Sequence, residues 1–434
     1  MFKFFKVILP LFLVILTSCF NTRRTPQTRP ILIQDPVKLS VDTTSFPPDT
    51  AHTENEHKKT GTDSLKTTDV AIDSVYSDSI SPDSLLPSPD SVSVLNDSIP
   101  ADSLKKIKIS LPDTITIMGT GDIMPGTNYP DNRYLPDDCY SLFNPVKEIL
   151  QSADITFGNL EGVFCSSGGT PKKCNDPSVC YVFRMPDAYL DCILDAGFDL
   201  LSVANNHVND FGPEGRKTSA VLLDSANVNF AGFLSRPIDT FSLDNVKYGF
   251  AAFAPNIGTV SFKDYDRAAQ IIADLEDISD IVIVSFHGGA EGRDYQNVPC
   301  TDEIYLGYNR GNVCEFAHHA VDAGADIVFG HGPHVTRAME LYKNRLICYS
   351  LGNFCTYARF NLSGPNGIAP IVKVRTNAKG EFLNGEIISV YQSGQGGPRP
   401  DPQNRALKKL IDLSNTDFPE SNLVIDPNGL MYAK

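Results

Sequence analysis

The sequence predicts an α/β fold for residues 111–395, and three observations carry that expectation. Short apolar runs rich in β-branched residues recur through this region, too short for helices and flanked by Gly, Asn and Asp. Longer stretches between them place apolar residues three and four apart, the spacing of a helix that buries one face. The two kinds alternate along the chain, as they do when helices cover a sheet, and the length suits one large domain of about 280 residues.

In chain order, the first strand is expected over Thr114–Met118 and runs into Gly119-Thr120-Gly121-Asp122. A helical spacing over Asn144–Ser152 precedes a strand over Asp154–Phe157, which ends on Gly158-Asn159-Leu160-Glu161. The helix over Pro186–Ala196 leads to a strand over Asp199–Val203 and then Ala204-Asn205-Asn206-His207 with Asp210. After a helix over Gly212–Ala226 come a strand at Tyr248–Phe253, a helix at Asp264–Ile278 and a strand at Ile281–Phe286, followed by His287-Gly288-Gly289-Ala290-Glu291. A helix over Asn312–Ala323, a strand over Asp326–Phe329 leading to Gly330-His331-Gly332-Pro333-His334, and a strand over Arg345–Tyr349 complete the pattern. Residues 396–434 are expected as a C-terminal extension packing on the domain.

Ligands of such sheets gather beyond the carboxyl ends of the strands. Asp122, Asn159, Asn206, His287, His331 and Asn353 all fall there. Imidazole, carboxylate and amide oxygen are the donors a divalent metal takes, so a metal or phosphate centre is expected. Each segment alone is weak: Gly-Asp after a strand is commonly a turn, and Asn-Asn-His can cap a helix. His331 and His334 are stronger, because Pro333 between them places both in a constrained loop. His318 and His319 fall mid-helix and are expected to be structural or surface residues.

Lys3 and Lys6 precede an apolar stretch from Val7 to Leu16, and Leu16-Thr17-Ser18-Cys19 follows. Residues 1–19 therefore have the layout of a lipoprotein signal with lipidation at Cys19, anchoring the chain to a membrane. Residues 20–110 are dense in Ser, Thr, Asp and Pro without an apolar period, and are expected to form a solvated tether with a reach of about 50 Å. Cell-envelope localisation follows, on the periplasmic or surface-facing side of a bacterial membrane.

The chain carries a net charge of −15, and nearly all of the excess lies beyond residue 110, which excludes a basic nucleic-acid-binding face. Besides Cys19 there are nine cysteines, an odd count that leaves at least one unpaired within the chain. In an oxidising compartment a disulfide is expected in the loop holding Cys165, Cys174 and Cys180, with a zinc knuckle as the alternative.

From about Thr116 to Phe354 the chain resembles the poly-γ-glutamate capsule biosynthesis (CapA) family, a divergent branch of the calcineurin-like metallophosphoesterases. The matching segments are Gly121-Asp122-Ile123-Met124, Asn159-Leu160-Glu161, Phe183-Arg184 with Pro186, Ala204 to Gly212, His287-x-Gly289-x-Glu291, Gly330 to Val335, and Ser350-Leu351-Gly352-Asn353-Phe354.

The resemblance implies a four-layer fold, two β-sheets face to face with helices outside, and a cleft for one or two divalent ions such as Mn²⁺, Zn²⁺ or Fe²⁺. Asp122 and His334 would hold one ion, Asn206, His287 and His331 a second, with Glu161 as a bridging carboxylate. His207 would protonate a leaving oxygen, with Asp210 and Glu291 assisting, while Arg184, Asn205 and Asn353 would contact substrate. The implied role is a phosphoester hydrolase, or a non-catalytic lipoprotein that binds or helps export an anionic polymer beside other capsule-synthesis components. Two positions depart from the pattern. Met124 stands where the superfamily has a metal-binding His, and Gly288 stands where the family has Trp.

Overall fold

The computed structural model describes residues 111–174 and 180–434. The signal segment, Cys19 and the tether lie outside the described residues. No helix among the described residues is long and apolar enough to cross a membrane.

The first half of the chain forms β1 (Ile115–Met124), α1 (Cys139–Phe143), α2 (Lys147–Leu150), β2 (Ile155–Leu160), β3 (Val163–Phe164), β4 (Arg184–Met185), α3 (Tyr189–Ala196), β5 (Leu200–Ser202), α4 (Gly212–Ser225) and β6 (Asn229–Ala231). The second half forms β7 (Ile238–Leu243), β8 (Val246–Phe253), α5 (Tyr265–Glu276), β9 (Ile281–His287), the hairpin β10 (Ile304–Tyr305) and β11 (Tyr308–Asn309), α6 (Val313–Asp322) and β12 (Ile327–His331). There follow β13 (Met339–Tyr342), β14 (Arg345–Cys348), β15 (Asn353–Thr356), β16 (Ile368–Thr376), β17 (Phe382–Tyr391), β18 (Arg399–Pro400), α7 (Arg405–Asp417), β19 (Leu423–Ile425) and β20 (Leu430–Ala433).

Two large sheets hold the described residues together. One has the order β19-β20-β17-β16-β1-β2-β5-β6, with β15 also pairing β1 and β18 pairing β17; the other has the order β13-β14-β12-β9-β8-β7. Residues 396–434 supply β18, α7, β19 and β20, so this segment extends the first sheet.

Strand pleating sorts the side chains into layers, because successive residues point to opposite faces. Val246, Tyr248, Phe250 and Ala252 of β8 meet Ile117 of β1 and Phe157 of β2 in a core between the sheets. The alternate residues Ala251 and Phe253 face outward and pack with Ile272 and Leu275 of α5 and Phe316 and Ala317 of α6. On the far side of the first sheet, Met118 and Ile123 of β1 pack with Phe143, Leu190, Ile193 and Leu223 of the first helices. The result is the expected four-layer arrangement, helices outside two face-to-face sheets.

Helix ends follow their local chemistry. The Asp264 side chain accepts from the Arg267 N–H at the start of α5, and Asn312 accepts from the Glu315 N–H at the start of α6. α3 stops at Gly197, whose φ of 110° suits glycine. Three disulfides join Cys139 to Cys192, Cys174 to Cys180 and Cys300 to Cys314. The loop of Cys165, Cys174 and Cys180 thus carries a disulfide, while the buried Cys165 thiol donates to Ser167 O at 2.9 Å. His318 lies 2.8 Å from Glu340 and stacks on Tyr342, and His319 stacks on Tyr265, so this pair packs on the helix surface as expected.

Candidate metal centre

Strand register brings the predicted residues together. Asp122 pairs with Asn159 of β2 and with Asn353 of β15, and β1 is irregular on both sides of Asp122, which re-aims its side chain. A Cβ on Gly121 would fall 1.9 Å from Gly352 O, so only glycine allows this approach, and the Asp122 N–H donates to that carbonyl at 2.9 Å. In the second sheet His331 of β12 is in register with His287 of β9. The loop after β12 then carries His334 at φ 56°, a backbone conformation uncommon for a non-glycine residue.

The carboxylate of Asp122 is the centre of the cluster. Its Oδ2 lies 2.9 Å from His334 Nδ1 and its Oδ1 3.3 Å from His331 Nδ1. Glu161 approaches from β2, with Oε1 3.5 Å from His334 Nε2 and 3.9 Å from His207 Nε2. Ligand atoms of Asp122, Glu161 and His334 lie within 4.8 Å of one another. The His287 ring stands edge-on to His334, centroids 6.2 Å apart.

Electrostatics of the cluster are those of buried charges packed together. Burial alone would raise the Asp122 carboxyl, but hydrogen bonds and charge from His331 and His334 hold it well below the usual range. Burial and then the Asp122 charge push Glu161 well above it. His334 is pushed up to about 10: burial opposes this, and the charges of Glu161 and Asp122 prevail. Burial, reinforced by Arg310, drives His287 well below the ordinary imidazole value.

The donor set fits a divalent metal. Both oxygens of Glu161, both ring nitrogens of His287, His331 Nε2 and Asn206 Oδ1 are buried without a hydrogen-bond partner among the described residues. Buried polar atoms are normally satisfied, and one left bare costs about 1–3 kcal/mol. Carboxylate oxygens and imidazole nitrogens, with an amide oxygen such as that of Asn206 as a further donor, are the ligands Mn²⁺, Zn²⁺ and Fe²⁺ accept.

Beside the cluster, His207 Nδ1 lies 2.7 Å from Asp210 Oδ2, and the other Asp210 oxygen pairs with Lys172 at 2.5 Å. Burial lowers the His207 pKa; Asp210 opposes that shift and Lys172 adds to it. Phe183 packs tilted against His207 at 4.3 Å and stacks on Phe360 at 5.1 Å, and Phe360 also meets the His334 ring edge at 6.2 Å. Phe360 belongs to no sequence motif, and only the fold shows that it walls the cleft.

The remaining expectations meet particular surroundings. Glu291 pairs with Arg310 at 2.9 Å. Arg184 Nε donates to Asn128 Oδ1 at 2.6 Å and its Nη1 to Gly168 O at 3.2 Å, so two of its donors are engaged within the fold. Asn205 is wholly buried: its amide donates to Asn159 Oδ1 and Leu160 O and accepts the His207 N–H, which makes it a brace rather than a cleft surface. Asn159, which donates to Asp122 Oδ1 at 2.9 Å, extends that brace to the cluster. Asn353 spends its amide hydrogens on His334 O and Asn366 O and keeps a bare Oδ1. At Gly288 the room for a larger side chain is filled, since a Cβ there would sit 2.4 Å from the Phe262 ring.

The bacterial capsule synthesis protein family PGA_cap matches residues 116–358. The capsule biosynthesis protein CapA of Bacillus anthracis is 29% identical over 265 residues, covering 56% of this chain and 60% of that protein. The PGA biosynthesis protein CapA of Bacillus subtilis (strain 168) is 28% identical over 266 residues, covering 57% and 65%. This chain thus spans about three fifths of the length of the first of these relatives. Among solved structures, a hypothetical protein from Thermus thermophilus aligns with a TM-score of 0.39 and 16% identity, over 64% of this chain and 100% of that one. Purple acid phosphatase PPD1 from yellow lupin seeds aligns with a TM-score of 0.32 and 10% identity, over 67% and 55%. Since the family model matches more than half of the chain, from the first strand of the central sheet to just past the last cluster residue, the protein belongs to the bacterial capsule synthesis protein family PGA_cap.

Proposed function

We propose that this protein is a metal-dependent hydrolase of a phosphate ester or related bond, acting at the cell envelope in the synthesis of an anionic capsule polymer of the poly-γ-glutamate kind. The observation that carries this reading is the set of bare, buried donor atoms on Glu161, His287 and His331 around Asp122. Asp122, Glu161 and His334 would hold a divalent ion, and Asn206, His287 and His331 are the donors for a second position. When bound, such an ion polarises a phosphoryl oxygen and makes a coordinated water more acidic.

The chain's own residues supply the proton handling. Asp210 takes the Nδ1–H of His207, which leaves Nε2 as the atom facing Glu161 and able to exchange a proton with a leaving oxygen. Phe183 and Phe360 keep water from that side of the imidazole. Relatives named for capsule biosynthesis and the lipoprotein layout at Cys19 support the envelope as the place of action. One observation favours a polymer-handling role without turnover: Met124, fully buried, offers a thioether where the superfamily has an imidazole, so the first metal position has fewer ligands.

Elemental analysis of the purified protein, beside a phosphatase assay supplemented with Mn²⁺ or Zn²⁺, tests the hydrolase reading. Bound metal that is lost in His331→Ala and in His287→Ala is expected, together with ester turnover. A protein without metal would end the hydrolase reading, and metal without turnover on any ester would leave the polymer-handling role. For the anchor, Cys19→Ala should move the protein from the membrane fraction to the soluble one; unchanged fractionation would reject it.

A further inference from the structure

Resting on the hydrolase reading, we propose that Arg359 recognises a second oxyanion of the substrate, set apart from the group held at Asp122, Glu161 and His334. The substrate is then an extended polyanion rather than a small monoester.

In a chain with 37 Lys and Arg against 52 Asp and Glu, an arginine beside the candidate centre that two aromatic rings hold, with no acidic partner among the described residues, is available to an anion. Arg337 is paired with Glu303, Arg310 with Glu291, Arg345 with Asp326 and Arg405 with Asp401. Arg184 has no carboxylate, but Asn128 and Gly168 take two of its donors. The Arg359 guanidinium has neither an ion pair nor a hydrogen bond among the described residues. Its Cζ lies 4.8 Å from the Tyr134 ring centroid and 5.2 Å from that of Tyr181. The two aromatic rings hold the guanidinium by cation–π contact without using its N–H donors, which are left to grip a carboxylate or phosphate at two points.

Arg359 stands on the rim of the candidate centre. The Tyr181 ring lies 6.3 Å from Phe183, which packs against His207. The residue after Arg359 is Phe360, whose ring meets both Phe183 and His334. Beyond Phe360 a cavity of about 670 Å³ opens, lined by Ser363, Tyr391, Gln392, Gln403 and the Arg405–Asp401 pair among others. A substrate reaching past the cleft therefore has polar room beyond Phe360, and the Arg359 guanidinium beside Tyr134 and Tyr181 is a cation it can meet.

The test uses the full chain and a short, dye-labelled, γ-linked oligoglutamate, with binding read by fluorescence anisotropy on chelator-treated protein so that no metal takes part. Arg359→Ala should weaken binding by about 10-fold or more, the scale of a lost charge-assisted hydrogen bond. Arg359→Lys, which keeps the charge but not the planar fork, should lose less, and Lys217→Ala, an exposed charge on α4, should match the wild type. On metal-loaded protein, Arg359→Ala should raise KM for a phosphate ester bearing a second carboxylate and leave p-nitrophenyl phosphate kinetics unchanged. If Arg359→Ala fails to melt like the wild type, the Arg359→Lys comparison decides alone. Unchanged affinity on removing the guanidinium, an equal loss in Lys217→Ala, or no binding by the wild type overturns the proposal. Loss of affinity at Arg359 in a protein that elemental analysis finds metal-free would retain it while ending the hydrolase reading.

Discussion

The carboxylate of Asp210 lies 2.7 Å from Nδ1 of His207, and the same oxygen accepts the Phe183 backbone N–H at 2.6 Å. One buried acid therefore sets the imidazole and the aromatic wall against it. Asp210→Asn keeps the shape but removes the charge that orients the Nδ1–H. Turnover of a phosphate ester should fall by about 10²-fold or more, with metal content unchanged, because Asp210 touches the proton-handling side of the site and not the cluster. Rates measured beside elemental analysis check both halves; loss of metal together with rate would mean that Asp210 acts through the integrity of the cluster.

Metal should also act on stability, since the bare donors on Glu161, His287 and His331 exist in this arrangement only in the folded chain. A ligand present at 100 times its Kd stabilises the folded state by about 2.7 kcal/mol. Calorimetry with Mn²⁺ or Zn²⁺ should show a higher melting temperature than with chelator, and His331→Ala should abolish most of the difference. Equal shifts in the wild type and in His331→Ala would place the ion elsewhere.

The parts of this fold that are legible in the sequence are those with uniform surroundings. All seven residues of β9, Ile281–His287, are buried, so the strand appears as a largely apolar run broken only by Ser285 before it ends on His287. The ends of α3, α5 and α6 coincide with Gly197, Asp264 and Asn312, residues with local capping chemistry. β16 and β17 are harder to find because Pro370 interrupts one and Asn384-Gly385 the other, and long-range pairing alone makes them strands. At the site, residue types at strand ends point to Asp122, Glu161, His287, His331 and His334. What each side chain is committed to does not follow from type or spacing. The partners of Arg184 and Asn205 lie 56 and 46 residues away, at Asn128 and Asn159, and Arg359 acquires its tyrosines only through folding.

Glu303 and Arg337 form a second buried polar centre that no motif announces. The Arg337 side chain is fully buried; Nη1 and Nη2 reach the two Glu303 oxygens at 2.8 and 2.7 Å, and Nε donates to Tyr295 O. Glu303 also accepts the Ala290 N–H, so the pair anchors the segment that follows His287 and carries Glu291. Glu303→Ala should destabilise the protein by about 3–5 kcal/mol, because it strands a buried guanidinium, whereas replacing both partners with apolar residues of similar volume should recover much of the loss. Denaturant unfolding of the single and double variants measures this; a double variant no more stable than Glu303→Ala would show that the hydrogen bonds to Tyr295 and Ala290, rather than the buried charge, dominate.

Asp326 gives a pH dependence whose sign can be worked out. Burial raises its carboxyl from the ordinary value of 3.8 to about 6, against the Val282 N–H and Arg345, which favour the ionised form. Between those two values the folded chain binds more proton at this site than the unfolded chain, so stability from Asp326 is present at low pH and is lost as pH rises through about 6. A shift of this size corresponds to about 3 kcal/mol as an upper bound. Other carboxylates add their own pH dependence, so the measurement is a difference: unfolding free energies of the wild type and Asp326→Asn, followed from about pH 4 to about pH 7. The gap between them should move in favour of Asp326→Asn as pH rises across that window, because the amide carries no charge to desolvate. A gap constant with pH would show that Asp326 titrates at its unfolded value, with Arg345 and the Val282 N–H fully offsetting its burial.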